Sequence, residues 1–168
     1  MKRITLIICS LLVILGATTS CQEHVTEVTE VYTTPARTII FDLNSSKWTP
    51  YDNSTAFYTA LNVPELTSSF NDIGGVLVYI SRAVGVYEAL PMTYDNFAYS
   101  FSTTPGAIRI DVQTIPVKTM SRPEFMQVKV VLIDAEDISM LKEKGIDLKD
   151  IKAVQKALGT TEKYVPVN

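Results

Sequence analysis

Alternating apolar and polar residues characterise much of the chain after residue 36. Ile39, Phe41 and Leu43 alternate with Thr38 and Asp42, which is the pattern of a strand with one buried face. The same alternation recurs in four later segments, residues 57–63, 97–102, 108–113 and 126–132. We expect each of these segments to cover a core with one face and to contact water with the other.

Two further segments are predicted as strands on different grounds. Residues 75–82 form an unbroken, β-branched apolar run that is too short for a typical helix, which predicts a central strand covered on both faces. Residues 86–90 form a brief strand before Pro91. Between residues 102 and 108, Pro105 and Gly106 fit a type II turn, which predicts a hairpin with one wet face.

Helical spacing is confined to three short segments. Leu66, Phe70 and Ile73 lie at i, i+4 and i+7, which predicts an amphipathic helix over residues 64–73 with Pro64 in its first turn and Gly74 at C′. Two further helices are predicted near the C-terminus, over residues 137–145 and 147–159, each followed or ended by glycine.

Together these elements predict a mainly β, minor α+β fold. About seven short strands with turn signals roughly every ten residues are typical of an antiparallel β-sandwich, here with a short central helix and one or two C-terminal helices. A helix-backed antiparallel sheet is the alternative. We assign residues 37–168 to a single β-rich domain, residues 21–36 to a tether and residues 1–20 to a signal peptide.

The signal peptide is predicted from a different apolar pattern. Lys2 and Arg3 precede an apolar stretch over residues 4–15, and small residues then lead to Cys21. That stretch is shorter than the roughly 20 apolar residues that span a bilayer, so it is typical of a secretory leader rather than an anchor.

Cys21 is the predicted lipidation site, because the leader resembles a bacterial lipoprotein signal that ends on a cysteine. Thr18 stands where such signals usually carry Leu or another aliphatic residue. Removal of the leader discards Cys9 and leaves Cys21 as the one remaining thiol, so no intrachain disulfide is expected. The alternative is cleavage nearby with Cys21 left as a free thiol. The polar residues 22–36 would reach at most roughly 50 Å at ~3.3–3.6 Å per residue.

Charge and histidine content remove several classes of function. The chain has a net charge of −3 and no cluster of Lys and Arg, so nucleic acid is not an expected partner. The one histidine, His24, lies in the tether, so histidine-based and thiol-based catalysis and zinc binding are not expected. No phosphate-binding loop is present, and we predict no cofactor, no metal site and no catalytic residue. Scattered carboxylates leave hydrolysis by paired acids as an alternative.

Aromatic residues are the remaining candidates for contact with a ligand. Phe97, Tyr99 and Phe101 share one strand face and are predicted to lie in the core. Trp48, Tyr51 and Tyr94 lie beside turn-forming residues instead. We predict that they are exposed and contact a glycan or an envelope protein.

Several structural features occur together in one order: Trp48, the strand 75–79 after a short helix, the pair Leu90–Pro91, and the strand 128–133 before a helix. With the leader, they resemble a group of small secreted lipoproteins or exported proteins of Bacteroidota whose function is uncharacterised. The likeness covers about residues 37–158. It implies a location in the cell envelope and a β-rich fold, and it assigns no functional residue.

The sequence therefore predicts a non-enzymatic envelope lipoprotein that acts as a binding or accessory module in the periplasm or at the cell surface. Its N-terminal lipid would attach it to the outer membrane. The alternatives are a carboxylate-dependent hydrolase acting on glycan or peptide, and a structural subunit that assembles by strand exchange. The last alternative predicts that cleavage in the tether, for example after Arg37, exposes a sheet edge and yields polymers.

Overall fold

The computed structural model describes residues 37–51 and 54–166, and these form a β-rich α+β fold. Within them there are three α-helices: α1 (Ser68–Ile73), α2 (Ala135–Glu143) and α3 (Ile151–Leu158). The ten strands described are β1 (Arg37–Leu43), β2 (Thr49–Pro50), β3 (Ala56–Asn62), β4 (Gly75–Ala83), β5 (Val86–Ala89), β6 (Met92–Tyr94), β7 (Phe97–Thr104), β8 (Ala107–Thr114), β9 (Met126–Ile133) and β10 (Thr161–Val165). None of the helices in this part of the chain has the length and apolar character needed to cross a membrane.

The strands form two five-stranded sheets. Sheet A has the order β10-β1-β9-β4-β5, in which β10 is parallel to β1 and the other neighbours are antiparallel. Sheet B has the order β2-β3-β8-β7-β6 and is antiparallel throughout. The chain changes sheet four times, between β1 and β2, β3 and β4, β5 and β6, and β8 and β9.

One hydrophobic cluster draws its side chains from both sheets. Ile39 and Phe41 of β1 and Val130 of β9 come from sheet A, whereas Phe57 of β3 and Ile110 of β8 come from sheet B. These residues occupy the apolar positions of the predicted alternation, so the period of two correctly identified the inward face of each strand. Phe97, Tyr99 and Phe101 pack against the same cluster, as predicted.

A second cluster covers the other face of sheet A. Tyr79 of β4 and Val131 of β9 pack with Leu141 of α2 and Val154 of α3. The centre of sheet A, at β4 and β9, is therefore buried on both faces, which explains why the residues of β4 before Ser81 carry no charged side chain. The prediction of a doubly covered strand and of two C-terminal helices is confirmed.

The predicted hairpin is also present. β7 and β8 pair from Phe97↔Thr114 to Thr104↔Ala107, and Gly106 has a φ of +82° in the connecting turn. A second short hairpin joins β6 to β7 through Asp95 and Asn96, which have φ of 48° and 63°. Asp and Asn tolerate this left-handed conformation because their short side chains bond to the local backbone.

Helix α1 ends at Ile73 as predicted, but its start and the conformation of Gly74 differ from the prediction. It begins at Ser68 rather than near Pro64, because the Thr67 side chain accepts a hydrogen bond from the Phe70 N–H at 3.2 Å and caps it. Ile73, predicted on the buried face, is 73% exposed. Gly74 has a φ of −83°, so the expected left-handed C′ conformation is wrong at this position.

Candidate functional site

The outer face of sheet B carries the polar half of the strand alternation. Thr59, Leu61, Ile110 and Val112 point into the core, so the residues between them must point away from it. Their outward neighbours are Tyr58 on β3, Ser100 on β7, and Arg109, Asp111 and Gln113 on β8. The pairing Tyr58↔Asp111 and Ser100↔Asp111 places the Asp111 carboxyl in the middle of this face.

Tyr51, Tyr58, Arg109 and Asp111 contact one another there, and we call them the outer-face cluster. The Tyr51 hydroxyl donates to Asp111 Oδ1, and Arg109 Nη2 donates to the Tyr51 oxygen. Arg109 Nε lies 3.1 Å from the same Asp111 oxygen. The guanidinium carbon lies 4.2 Å from the centre of the Tyr58 ring, and the rings of Tyr51 and Tyr58 meet edge to face with centroids 5.3 Å apart.

These contacts fix the charges of the outer-face cluster. Burial raises the pKa of the Tyr51 hydroxyl, and the hydrogen bond and negative charge of Asp111 raise it further. Tyr51 is therefore a neutral donor at physiological pH. Because Arg109 forms an ion pair with Asp111, the cluster presents no unbalanced charge to a ligand.

Beside the cluster lies an open concavity of about 380 Å³. Its walls combine one aromatic ring with hydroxyl, amide and carboxyl groups and small apolar side chains. The lining residues are Tyr51, Thr55, Ala56, Ala98, Ser100, Asp111, Val112 and Gln113. The small side chains of Ala56 and Ala98 provide the space, because larger residues at these outward positions would fill it.

The three predicted contact residues do not come together. Tyr51 is 39% exposed and lies at the concavity, as expected for a contact residue. Tyr94 is 48% exposed but lies on the opposite edge strand β6, where the Arg82 guanidinium carbon sits 3.0 Å from its ring centre. The contact role of both residues remains a prediction.

Trp48 requires a correction. It is 1% exposed and belongs to the core shared by the two sheets, so it cannot make the exposed contact predicted for it. The turn Ser45–Lys47, capped by the side chain of Asn44, directs the chain so that the Trp48 ring faces inward. Cys21, the predicted lipidation site, lies outside the described residues.

Tyr58, Arg109, Asp111 and Gln113 are the residues that prediction from sequence did not single out as a site. Alternation along β8 does place Arg109 and Asp111 on one face. Nothing in the local pattern, however, pairs that face with β3, whose register brings Tyr58 opposite Asp111. The site could not be predicted because the local pattern does not show which distant strands pair.

Comparison with known proteins adds no family to these observations. No family model, no curated protein and no solved structure matches this chain.

Proposed function

We propose that this protein is an exported, non-enzymatic lipoprotein whose domain acts as a binding module in the periplasm or at the cell surface. Cys21 would carry the lipid and residues 22–36 would connect it to the domain. The charged n-region, the short apolar stretch and the cysteine after small residues support this location. The resemblance to exported Bacteroidota proteins, which includes the leader, agrees with this location.

For the domain itself we infer an antiparallel β-sandwich. The inner cluster supports this arrangement, because it contains side chains from one face of each sheet, and sheets stacked face to face bury such a shared layer. The seven strands expected from the sequence correspond to the longer strands together with β5. The additional β2, β6 and β10 have between two and five residues.

We propose that the outer-face cluster and its concavity bind a neutral glycan. The observation that carries this proposal is the exposed Tyr51 ring beside a row of fixed hydrogen-bonding groups, with the Asp111 charge balanced by Arg109. A sugar ring offers C–H groups to an aromatic face and hydroxyl groups to carboxyl, amide and hydroxyl side chains. A charge-balanced site suits an uncharged ligand.

The hydrolase alternative receives less support from this concavity. Hydrolysis by paired acids needs two carboxyl groups about 5–10 Å apart. Among the residues that line the concavity Asp111 is the single acid, and its Oδ1 oxygen already accepts from Tyr51 and Arg109. The geometry therefore favours binding over acid catalysis.

The structure also does not favour strand exchange that begins with a cut after Arg37. Arg37 is the first residue of β1, and β1 lies between β10 and β9 in sheet A. A cut after Arg37 would leave β1 covalently attached to the domain. It would thus remove none of the strands that the structure describes.

Glycan binding is tested by comparing Tyr51→Ala with Tyr94→Ala in a screen of neutral envelope glycans followed by calorimetry. We expect Tyr51→Ala to weaken binding of the selected glycan by about fivefold or more, because a stacked aromatic ring contributes ~1 kcal/mol or more. Tyr94, the other exposed predicted contact residue, lies on a different edge of sheet B and does not line the concavity, so Tyr94→Ala distinguishes binding at the concavity from binding at that edge. Equal affinity of both variants, or failure of the parent protein to bind any neutral glycan, would overturn the proposal.

Lipidation is tested by mass spectrometry of the membrane-associated protein and of Cys21→Ala. We expect the parent N-terminal peptide to begin at Cys21 and to carry a lipid mass, and the variant to lose both that mass and its membrane association. Unmodified N-terminal peptides in both proteins would rule out the lipid.

A further inference from the structure

Three connections meet at one end of the domain: the β4–β5 turn, the β6–β7 turn and the connection from β8 to β9. The Arg82 guanidinium carbon lies 3.0 Å from the centre of the Tyr94 ring, which joins the end of β4 to the end of β6. Val84 and Phe125 line one hollow of about 290 Å³, which joins the β4–β5 turn to the residue before β9. The three connections therefore form one continuous surface.

The connection from β8 to β9 is held in place where it leaves β8. Ile115 N donates to Asn96 O at 2.7 Å in the β6–β7 turn. The buried Thr114 hydroxyl accepts from Lys118 N at 2.8 Å and donates to Lys118 O at 2.7 Å, so it closes a tight loop. Val117 lies inside that loop and is 68% exposed. The backbone thus fixes an apolar side chain in contact with water.

Apolar side chains are concentrated on this surface. Six large apolar or aromatic side chains are exposed on the three connections and the strand ends beside them, and we call these six residues the apolar end: Val84, Val86, Tyr94, Ile115, Val117 and Phe125. Among the described residues, the other large apolar side chains that are exposed lie on none of these connections. Exposed apolar side chains gathered in one place mark an interaction surface, whereas scattered ones are ordinary.

The shape of the apolar end favours a fluid partner. Val84 is fully exposed in its turn and Phe125 is 64% exposed, so these side chains project singly from separate connections. A folded partner would need a separate recess for each of them. The boundary between the headgroups and the acyl chains of a bilayer instead deforms around each side chain, and aromatic rings such as that of Tyr94 are favoured at this depth.

The charges beside these side chains balance. Arg82 forms an ion pair with Glu88 at 3.4 Å. On the three connections two cations are matched in number by two acids: Lys118, Arg122, Asp95 and Glu124. A layer of zwitterionic headgroups, which carry both signs of charge, complements such a surface. Burial of apolar area would then be the main driving force, with no need for anionic lipid.

We propose that the apolar end inserts into the headgroup–acyl boundary of a zwitterionic phospholipid bilayer without crossing it. The domain would then have a second contact with a membrane, in addition to the lipid proposed for Cys21, and the contact would set its orientation there. None of the six side chains lines the glycan concavity. A chain without a lipid still has the apolar end, so insertion, lipidation and glycan binding can fail separately.

The test is cosedimentation with phosphatidylcholine vesicles of the chain that begins at residue 21 and carries Cys21→Ser. The parent should bind, and binding should persist in roughly 1 M salt, because salt screens charges but does not weaken apolar burial. Val84→Ser combined with Phe125→Ser should weaken partitioning by about tenfold or more. Ile73→Ser is the matched control, since Ile73 is 73% exposed but precedes β4 at the other end of the domain.

A fluorescent label shows which end enters the bilayer. In the same Cys21→Ser chain, Val84→Cys and Ile73→Cys each introduce the single thiol, because Cys9 lies before residue 21. An environment-sensitive dye at Val84→Cys should shift its emission to shorter wavelength when vesicles are added. The same dye at Ile73→Cys should show no shift.

Four results would overturn the proposal. The parent could fail to bind phosphatidylcholine vesicles, or the double variant could bind as well as the parent. Binding that requires phosphatidylglycerol and disappears at high salt would show that charge drives the contact. Association of the parent without vesicles, lost in the double variant, would show that a second copy of the chain covers the apolar end.

Discussion

At the scale of single residues, Trp48 shows how a turn-rich neighbourhood can conceal a core position. Pro50 and the Asp and Asn that follow it are typical of an exposed loop, but the ring is 1% exposed. We expect Trp48→Ala to lower the free energy of unfolding by about 3–5 kcal/mol through the cavity it creates. Tyr94→Ala, at a residue 48% exposed, should cost less than about 1 kcal/mol. Urea denaturation followed by circular dichroism measures both, and similar losses would contradict the assignment.

The adjacent residues Gly74 and Gly75 differ in the atoms that a side chain would contact. A Cβ at Gly74 would lie 2.8 Å from the Phe70 carbonyl oxygen and 2.7 Å from its ring, so steric space rather than positive φ requires glycine there. At Gly75 the close contacts would be with the Ile138 side chain, at 2.5 and 3.2 Å, whereas the nearest backbone atom, Ile133 O, lies at an ordinary contact distance of 3.7 Å. We expect Gly74→Ala to destabilise by about 1–3 kcal/mol and Gly75→Ala by less, because a methyl group can move and a backbone cannot. Thermal unfolding measures both variants, and a larger destabilisation by Gly75→Ala than by Gly74→Ala would contradict the steric explanation.

At the scale of elements, β10 is the strand that the sequence pattern concealed. Its residues Thr161–Tyr164 are exposed, and no apolar alternation marks them. Contacts made by polar side chains hold it instead: Lys163 pairs with Glu65, and the Tyr164 hydroxyl donates to Asp42. A parallel edge strand held in this way depends on partners about a hundred positions away in the sequence, which a local pattern cannot reveal.

The ion pair of Glu65 predicts a dependence of stability on pH. Burial alone would raise the pKa of this carboxyl, but the hydrogen bond from Lys163, a backbone hydrogen bond and the charges of Lys163 and Arg37 outweigh it and lower the pKa. A carboxyl whose pKa is lower in the folded state stabilises the protein above its unfolded pKa of about 4.3. That contribution is lost as the pH falls through the lower folded value.

We therefore expect Glu65→Gln to destabilise the protein by about 1 kcal/mol at pH 7 and to have a smaller effect at pH 3. The measurement is the free energy of urea unfolding of both proteins at each pH. Glu88→Gln is the control, because its pair with Arg82 is longer, at 3.4 Å, and its side chain is 47% exposed. An equal loss for Glu65→Gln at both pH values would show that charge is not the cause.

For the molecule as a whole, the sequence predicted which strand faces are buried better than it predicted which strands pair with each other. The alternation in β1, β3, β8 and β9 located the inner core, and the apolar run of β4 indicated a strand covered on both faces. The order of strands within each sheet depends on pairings between distant segments. The candidate site depends on the same information, since Tyr51 reaches Arg109 and Asp111 only through the β3–β8 register.

Strand β10 forms one edge of sheet A and covers β1. Deletion of residues 161–168 removes β10 and turns β1, whose Thr38, Ile40 and Phe41 are buried, into an edge strand. An uncovered apolar edge pairs readily with other chains, so we expect a loss of more than about 2 kcal/mol in stability and association that rises with concentration. Light scattering after size-exclusion chromatography measures the association. Lys163→Gln in the full chain is the control, because it breaks the ion pair but keeps the strand, and it should stay monomeric. A truncated protein that remained monomeric and as stable as the parent would show that β1 does not need β10 to complete the sheet.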